Sequence, residues 1–406
     1  MPPATTGNTA SQNAAMQANN TQAINDQISG YIRSVAQDNK QVIFSNTINN
    51  PTAGNNTVQI PLRNVGLVKG FIVEVTAPLQ NAGSAEASLS TWNAANILSN
   101  ITYFDLDNYQ RINCAGWFLN MVNTAKEGFP FGSAILSTAM DTPIKYGSNF
   151  SVISAPATIA AAADSVPGTG TVVMRYWVPL SYSNNDLRGA VFMGVVNATS
   201  YLQLTINPAP GVTTGDATLA VYKGANTAVT CTSAQITVYQ CYLDQLPRYS
   251  SGPSAGSPIL PPIDIATQYR LITTSLSAIS VGQDFPIPFS NFQQFLSLGL
   301  IYDQAGALNA GTDINYFALA AANTYQLFKV SPDTQALLER CAIMTDFPDG
   351  SYMFDFRKQP VSTNQTGNMQ LLLNAITAAA GSTVYAGFES FALVNTVLGA
   401  ASLPAS

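Results

Sequence analysis

The side chains that most often carry out catalysis are scarce in this sequence. There is no histidine among the 406 residues, which excludes the serine–histidine–aspartate triad, the cysteine–histidine pair and most zinc sites. Two acidic pairs, Asp105 with Asp107 and Asp346 with Asp349, could supply oxygen ligands to a cation. Neither pair has the further acids of a calcium loop, and nothing marks two acids as a glycosidase pair. We therefore predict no catalytic residue, no metal and no cofactor.

The four cysteines, Cys114, Cys231, Cys241 and Cys341, show no CxxC spacing. Their positions suit neither a metal knuckle nor a disulfide-dense scaffold. We interpret them as small buried apolar residues, with a disulfide bridge or a reactive thiol as the alternative.

The composition indicates a surface that is polar but nearly uncharged. Hydrophobic residues make up 47% of the chain and charged residues only 9%, well below the roughly 25% of an ordinary soluble domain. Such a surface suits a subunit that packs against copies of itself. The net charge is −6 and no stripe of basic residues is visible, so we predict no direct binding to nucleic acid.

Residues 1–40 have the composition of an arm that carries one amphipathic helix. Apolar side chains recur there at helical spacing, and the segment has neither the basic start nor the apolar run of a secretion signal. The helix either packs on its own barrel or lies on a neighbour or a membrane. The residues predicted for the contact with a neighbouring subunit or a membrane are Ile24, Ile28, Tyr31, Ile32, Arg33 and Val35.

Beyond the arm, apolar and polar residues alternate as in half-buried strands, and two all-β domains are predicted at residues 41–246 and 264–395. The strands 57–62, 71–76 and 202–207 show the alternation most clearly, and a strand is also predicted at 112–121. A segment rich in proline, serine and glycine, 247–263, reads as a linker. Residues 396–406 are predicted as a tail and 331–341 as a helix. About eight strands with polar connections favour a jelly roll.

Nine short segments resemble the tectivirus major capsid protein, and together they span about residues 60–375 in order. They are Asn64–Phe71, Asn123–Lys126, Pro143–Gly147, Ala155–Ala160, Tyr176–Leu180, Thr237–Gln240, Tyr242–Pro247, Gly311–Tyr316 and Thr345–Pro348.

This resemblance implies an all-β double jelly roll, that is, two eight-stranded β-barrels in one chain, with an N-terminal helical arm. It also implies a major coat protein that forms homotrimers and tiles an icosahedral shell over an internal lipid membrane. The expected partners are other copies of the chain, vertex and minor capsid proteins and that membrane. The expected location is the virion capsid, after synthesis in the bacterial cytoplasm. Two alternatives remain open, a viral spike or receptor-binding protein and a β-rich carbohydrate-active enzyme.

Overall fold

A computed structural model describes most of the chain from residue 27 onward. The described residues are 27–105, 109–127, 152–183, 186–194, 200–212, 219–260, 267–277, 279–291, 293–304, 307–308, 313–321, 325–343, 347–348, 350–363, 369–378 and 382–393.

Strands β1 to β15 precede residue 245 and strands β16 to β25 follow residue 266. The first group comprises β1 Gln37–Asn49, β2 Thr57–Pro61, β3 Leu67–Asn81, β4 Ala87–Leu89, β5 Leu98–Phe104, β6 Gln110–Cys114, β7 Val152–Ser154, β8 Thr158–Ile159, β9 Gly168–Pro179, β10 Val191–Phe192, β11 Tyr201–Ile206, β12 Gly211–Val212, β13 Tyr222–Lys223, β14 Val229–Cys231 and β15 Ser233–Asp244. The second comprises β16 Thr267–Ser277, β17 Asp284–Pro288, β18 Gln293–Gln304, β19 Ala307–Leu308, β20 Ile314–Ala321, β21 Tyr325–Val330, β22 Ser351–Asp355, β23 Val361–Ser362, β24 Met369–Ala375 and β25 Thr383–Leu393.

Three α-helices accompany these strands in the described residues. Helix α1 covers residues 27–35, α2 is Gly116–Glu127 and α3 is Pro332–Ile343. Short 3-10 helices occur at Pro51–Ala53 and Asn93–Ile97. No helix in the described part of the chain has both the length and the hydropathy needed to cross a membrane.

The first barrel consists of two facing four-stranded sheets. One has the order β1-β15-β3-β9 and the other the order β2-β11-β5-β6. Strand β11 shows how the sequence builds such a sheet, because its residues alternate strictly between half-buried and buried positions. The inward side chains of both sheets form one apolar core.

The second barrel repeats this order strand by strand. Its sheets are β16-β25-β18-β22 and β17-β24-β20-β21, so each strand has a counterpart at the same place in the first barrel. An eight-stranded barrel with this connectivity is a jelly roll. The predicted all-β double jelly roll is confirmed.

The correspondence between the barrels extends to single residues. An extra residue interrupts the pairing of β3 with β15 at Lys69, and the pairing of β18 with β25 at Leu296. A second matching bulge lies at Arg111 in β6 and at Leu327 in β21. Helices α2 and α3 each begin two residues after the strand that precedes them. Any position in these elements of one barrel can therefore be assigned its counterpart in the other.

The predicted strand 112–121 is wrong in its second half. Strand β6 ends at Cys114, and α2 begins at Gly116. A short apolar run does not distinguish a buried strand from a buried helix, and here the run is buried on several sides.

Several other boundaries also differ from the sequence reading. Strand β1 begins at Gln37, inside the range predicted for the arm, while β20 and β21 were not predicted as strands. Residues 245–260 contain no strand, only an isolated bridge between Arg248 and Pro258. The limits of the predicted domains and linker stay predictions.

Candidate assembly site

The two barrels of the chain are joined through their backbones. Strand β6 of the first barrel pairs in parallel with β16 of the second, with Ile112 opposite Leu271 and Asn113 opposite Ile272. Ile112 and Leu271 are fully buried. This pairing merges one four-stranded sheet from each barrel, together with the short strands β19 and β23, into a single ten-stranded sheet. We call this region, together with α2, the intrachain junction.

Helix α2 packs over the outer face of the second barrel. Phe118 lies on Gly387, where an added Cβ would come within 2.2 Å of its ring, and Met121 lies on Gly299. Both glycines are needed for this close approach, because even a methyl group would collide with the helix side chains. Apolar residues of the second barrel, including Leu271 and Ile301, consequently belong to the core of the first.

A buried ion pair lies at the end of α2. The Lys126 Nζ atom is 2.6 Å from Oε1 of Glu389, whose side chain is fully buried. The Tyr269 hydroxyl donates to the same oxygen at 2.7 Å, and the Ser297 hydroxyl donates to Oε2 at 2.7 Å. Lys126 also donates to the carbonyl oxygen of Tyr182 at 2.9 Å. We call these five residues the junction cluster.

The electrostatics of the junction cluster fix Glu389 in its ionised form. Burial alone raises the pKa of this carboxyl, but the nearby charges of Lys126 and Arg357 outweigh burial and hold the pKa below its ordinary value. Burial and the adjacent carboxylate raise the pKa of Tyr269 well above its usual range. Near neutral pH the cluster is thus a permanent ion pair that links the barrels rather than an acid–base site.

Sequence reasoning did not single out the junction cluster. Its one detectable signal is Glu389, an acid in a strand, β25, whose neighbours Phe388, Phe391 and Ala392 are apolar. A charge in such a strand is buried only with a partner, but the sequence does not show that the partner is Lys126 in the other barrel.

Helix α1 docks on the first barrel through one side. Ile32 is fully buried against Leu67, Leu187 and Leu243, and the half-buried Ile28 packs on the same cluster. The Ser29 hydroxyl accepts a hydrogen bond from the Leu187 N–H group at 3.1 Å, so a polar contact also holds the helix to the first barrel.

The remaining predicted arm residues divide between exposed and undescribed positions. Tyr31 is 51% exposed and Val35 50% exposed, and Arg33 is also on the exposed side. Ile24 lies outside the described residues. The structure thus brings Ile28 and Ile32 onto their own barrel and leaves Tyr31, Arg33 and Val35 facing outward. Whether the outward side contacts shell or membrane stays a prediction.

The candidate metal and thiol positions have ordinary surroundings where they are described. Asp105 is buried and accepts from Arg111 Nε at 2.7 Å, while Asp107, Asp346 and Asp349 lie outside the described residues. All four cysteines are free thiols. Cys114, Cys231 and Cys241 are buried as predicted, but the prediction is wrong for Cys341, which is exposed on α3 because it points away from the barrel.

Helix α3 leaves an apolar surface uncovered on the second barrel. Leu337 is 59% exposed, Leu338 49% and Leu327 of the adjacent β21 46%. A groove of about 710 Å³ runs between α3 and the neighbouring strands. Surfaces of this kind on a soluble chain mark sites of protein contact.

Comparison with known proteins decides the family. The model described as P3 major capsid protein N-terminal matches residues 4–246, and the model described as P3 major capsid protein C-terminal matches residues 266–405. The chain is 41% identical over 334 residues to the major capsid protein P3 of Enterobacteria phage PRD1, and the match covers 81% of each chain. The chain belongs to the P3 major capsid protein family. The predicted resemblance is confirmed, and the chain functions as a major capsid protein located in the virion capsid.

Solved structures of other capsid proteins share the fold. The STIV MCP superposes with a TM-score of 0.61 at 11% identity, covering 90% of this chain and 100% of that one. The Faustovirus major capsid protein gives a TM-score of 0.51 at 10% identity, covering 88% and 90%. At these identities the likeness shows the double jelly roll alone.

Proposed function

We propose that three copies of this capsid protein form a trimer of six barrels, which tiles an icosahedral shell above an internal membrane. The observation that carries the proposal is the intrachain junction. It fixes two barrels of the same topology side by side through a shared core and a parallel strand pair. Three such pairs make a pseudo-hexagonal tile, a shape that covers a flat facet. The family's role in the shell supports a structural protein without catalysis.

The mass of the purified protein in solution tests the trimer. Light scattering on a sizing column is expected to give a stable species near three times 42.9 kDa. A monomer at micromolar concentration would contradict the proposal. Because the apolar surface on α3 is uncovered in the single chain, we expect the species to persist on dilution.

We propose further that the exposed side of α1, with the residues that precede it, contacts the membrane or the inner side of the shell. Its support is the two-sided character of the helix, with Ile32 buried and Tyr31 and Val35 exposed. Residues 1–62 contain only two basic residues, Arg33 and Lys40, so attraction to anionic lipid is expected to be weak. Minor and vertex capsid proteins are further proposed partners.

A deletion of residues 1–26 tests this second proposal while α1 and β1 stay intact. The expected result is a trimer of normal mass that assembles particles poorly in infected or co-expressing cells. Normal particle yield from the deleted protein would contradict the proposed contact. The matched control replaces residues 1–26 with a glycine–serine segment of equal length, which separates a loss of sequence from a loss of length.

A further inference from the structure

The half-buried arginines of the chain differ in whether they have a counter-ion. Five arginines are half-buried in the structure. Four of them contact a carboxylate oxygen at 2.8 Å or less, in the pairs Arg111–Asp105, Arg175–Glu74, Arg188–Asp186 and Arg357–Asp355. The fifth, Arg270 in β16, contacts no carboxylate in the part of the chain that the structure describes.

The side chain of Arg270 is stacked on a ring instead of being paired with an acid. Its Cζ atom lies 5.1 Å from the centre of the Tyr109 ring, and its Nε atom has no hydrogen-bond partner among the described residues. Burial lowers the pKa of Arg270, whereas in Arg357 burial is outweighed by Asp355 and Glu389, which raise the pKa. A half-buried cation without an anion destabilises a fold, and an anion from outside the chain would remove that cost.

The nearest groups across the sheet do not supply the missing negative charge. In the pairing of β16 with β25, Arg270 lies opposite Ser390, whose hydroxyl donates to Oε1 of Gln293 at 2.8 Å. The acid next to Ser390 in sequence is Glu389, which is already bound to Lys126 in the junction cluster. The neighbour of Arg270 on β25 is therefore a neutral hydroxyl group, and the charge of the guanidinium stays unbalanced.

Arg270 lies at the end of the barrels that carries the arm. Tyr269, the preceding residue, packs on Gly189, where an added Cβ would come within 2.6 Å of the Tyr269 Cβ atom. Leu187, two residues before Gly189, donates its N–H group to α1. Tyr109 is 40% exposed, so a ligand at this end of the barrels can reach the guanidinium that stacks on its ring.

Three exposed tyrosines lie at this same end. Besides Tyr109, they are Tyr31 of α1, which is 51% exposed, and Tyr249, which is 46% exposed. Tyr249 lies in a loop whose flanking residues, Leu246 and Ile259, pack on the same apolar cluster as α1. Tyrosine concentrates where a membrane meets water, because its ring is apolar and its hydroxyl is solvated. The surroundings of Arg270 thus suit the head-group region of a lipid layer.

We infer that Arg270, oriented by Tyr109, binds a phosphate group at the arm end of the chain. A guanidinium offers several N–H donors in one plane and binds phosphate through paired, charge-assisted hydrogen bonds. The phosphate belongs to a lipid head group or is free phosphate from solution. The lipid source rests on the proposed contact of α1 with the membrane, whereas the phosphate site itself does not depend on that contact.

Titration of the purified capsid protein with inorganic phosphate tests the site. Isothermal titration calorimetry at constant ionic strength is expected to show binding by the wild type. Arg270→Gln is expected to raise the dissociation constant at least about tenfold. The matched control, Arg63→Gln, removes the same charge from an exposed position and is expected to bind as the wild type does. Equal dissociation constants for Arg270→Gln and the wild type would overturn the inference.

Thermal unfolding in a phosphate-free buffer separates ligand binding from a purely structural role. Arg270→Gln is expected to unfold at the same temperature as the wild type or higher, since the change removes a half-buried cation that has no counter-ion. A melting temperature several degrees below those of the wild type and Arg63→Gln would show that Arg270 already has an anionic partner within the chain. That result would also overturn the inference.

Co-sedimentation with vesicles identifies the source of the phosphate. The vesicles contain phosphatidylethanolamine and phosphatidylglycerol, and the buffer contains no phosphate. Arg270→Gln is expected to lower the bound fraction at least about threefold, while Arg63→Gln binds normally. Binding of inorganic phosphate without any vesicle binding by the wild type would support the site with free phosphate as its ligand, and would contradict the proposed membrane contact.

Two further results would count against the site alone. Vesicle binding that is equal in the wild type and Arg270→Gln, with no binding of inorganic phosphate, would overturn the site and leave the proposed membrane contact standing. Binding of a polyglutamate peptide that depends on Arg270, with no binding of phosphate, would assign the guanidinium to an acidic protein segment and overturn the phosphate assignment.

Discussion

The outer sheet faces of the two barrels have the same topology but different surfaces. On the second barrel this face carries Gly299, Gly387 and Ile301 and is buried beneath α2. On the first barrel the counterpart positions carry Ile72, Tyr239 and Glu74, all half-buried. A face covered by its own chain can carry glycines, buried apolar residues and a buried ion pair because it is never exposed after folding. A face that its own chain leaves uncovered keeps polar groups that water can solvate.

The ion pairs on these two faces differ in the same way. The Lys126–Glu389 pair of the intrachain junction is buried, whereas the Glu74–Arg175 pair on the first barrel is about one-third exposed at each side chain. Water screens an exposed pair and compensates either ion when its partner is lost. A buried pair has no such compensation. Substitutions at the two pairs therefore measure how far the two faces differ in stabilising the fold.

The largest expected effect is from Lys126→Met. This change leaves Glu389 buried with the hydrogen bonds of Tyr269 and Ser297 but without its bonded cation, and is expected to lower the free energy of unfolding by about 3–5 kcal/mol. Urea unfolding followed by tryptophan fluorescence measures it. The matched control, Arg175→Met at the exposed pair, is expected to cost less than about 1 kcal/mol. Equal losses of unfolding free energy in the two variants would contradict the claim that the buried pair stabilises the fold more than the exposed pair.

Comparison of Glu389→Gln with the wild type over pH tests the same pair by titration. Because the folded-state pKa of Glu389 lies below its ordinary value of 4.5, ionised Glu389 stabilises the fold fully above that value. The contribution is lost as pH falls through the lowered folded-state pKa. The stability difference between wild type and variant is therefore expected to be constant from about pH 6 to 8 and to shrink below about pH 4. A difference that grows on acidification would contradict the assignment.

Gly387→Ala is expected to destabilise the intrachain junction by up to about 3 kcal/mol. The new methyl group would meet the ring of Phe118 at 2.2–2.5 Å, so α2 must shift away from the sheet. Thermal unfolding measures the change. A companion Phe118→Leu substitution is expected to recover part of the loss because it removes the ring atom Cε2 and leaves a shorter side chain that can turn away from the new methyl group. No recovery in the double variant would place the strain elsewhere.

Leu337→Asp is expected to weaken the trimer while leaving the folded chain intact. Leu337 is 59% exposed in the single chain, so the change costs little before assembly, whereas burial of a leucine in a contact between copies of the proposed trimer is worth about 2 kcal/mol. The dissociation constant measured by dilution and light scattering should rise at least about tenfold. Ile376→Asp, at a 50% exposed position on the same barrel, is the control and should leave the trimer unchanged.

The smallest expected effect is a gain in stability from Gly30→Ala in α1. Nothing lies within 4 Å of the position that the new Cβ would occupy, and alanine favours a helix over glycine by about 0.5–1 kcal/mol. Thermal unfolding measures the gain. Because Gly30 lies beside the exposed side of α1, a variant that folds more stably but assembles fewer particles would support the outward contact.

The alternation of apolar and polar residues predicted most of the strands. Strands β2, β3 and β11 lie where the pattern of half-burial placed them, because a barrel strand shows one side to its core. The pattern failed at α2, where residues 117–122 are buried on both the barrel and the junction side. It also omitted β21, an edge strand with exposed Gln326 and Leu327, whose sequence has no regular inward and outward side.

In the arm, too, the sequence predicted the secondary structure but not which side chains are buried. Helical spacing placed Ile28, Ile32 and Val35 on one helix, and the described part of α1 agrees with it. Spacing alone did not separate Ile32, which is buried on the barrel, from Val35, which is half exposed. The difference depends on where Leu67, Leu187 and Leu243 meet in space.

By itself, the sequence determined that the chain is all-β, has two domains and lacks histidine chemistry, since these follow from local alternation and composition. Only the tertiary structure decided that α2 lies between the barrels, that Lys126 meets Glu389 and that Leu337 is left exposed. Those facts depend on contacts between residues far apart in the chain, where shape and charge must match in three dimensions. The second barrel repeats the first in topology, but the covering of its outer face by α2 is decided only by the tertiary structure.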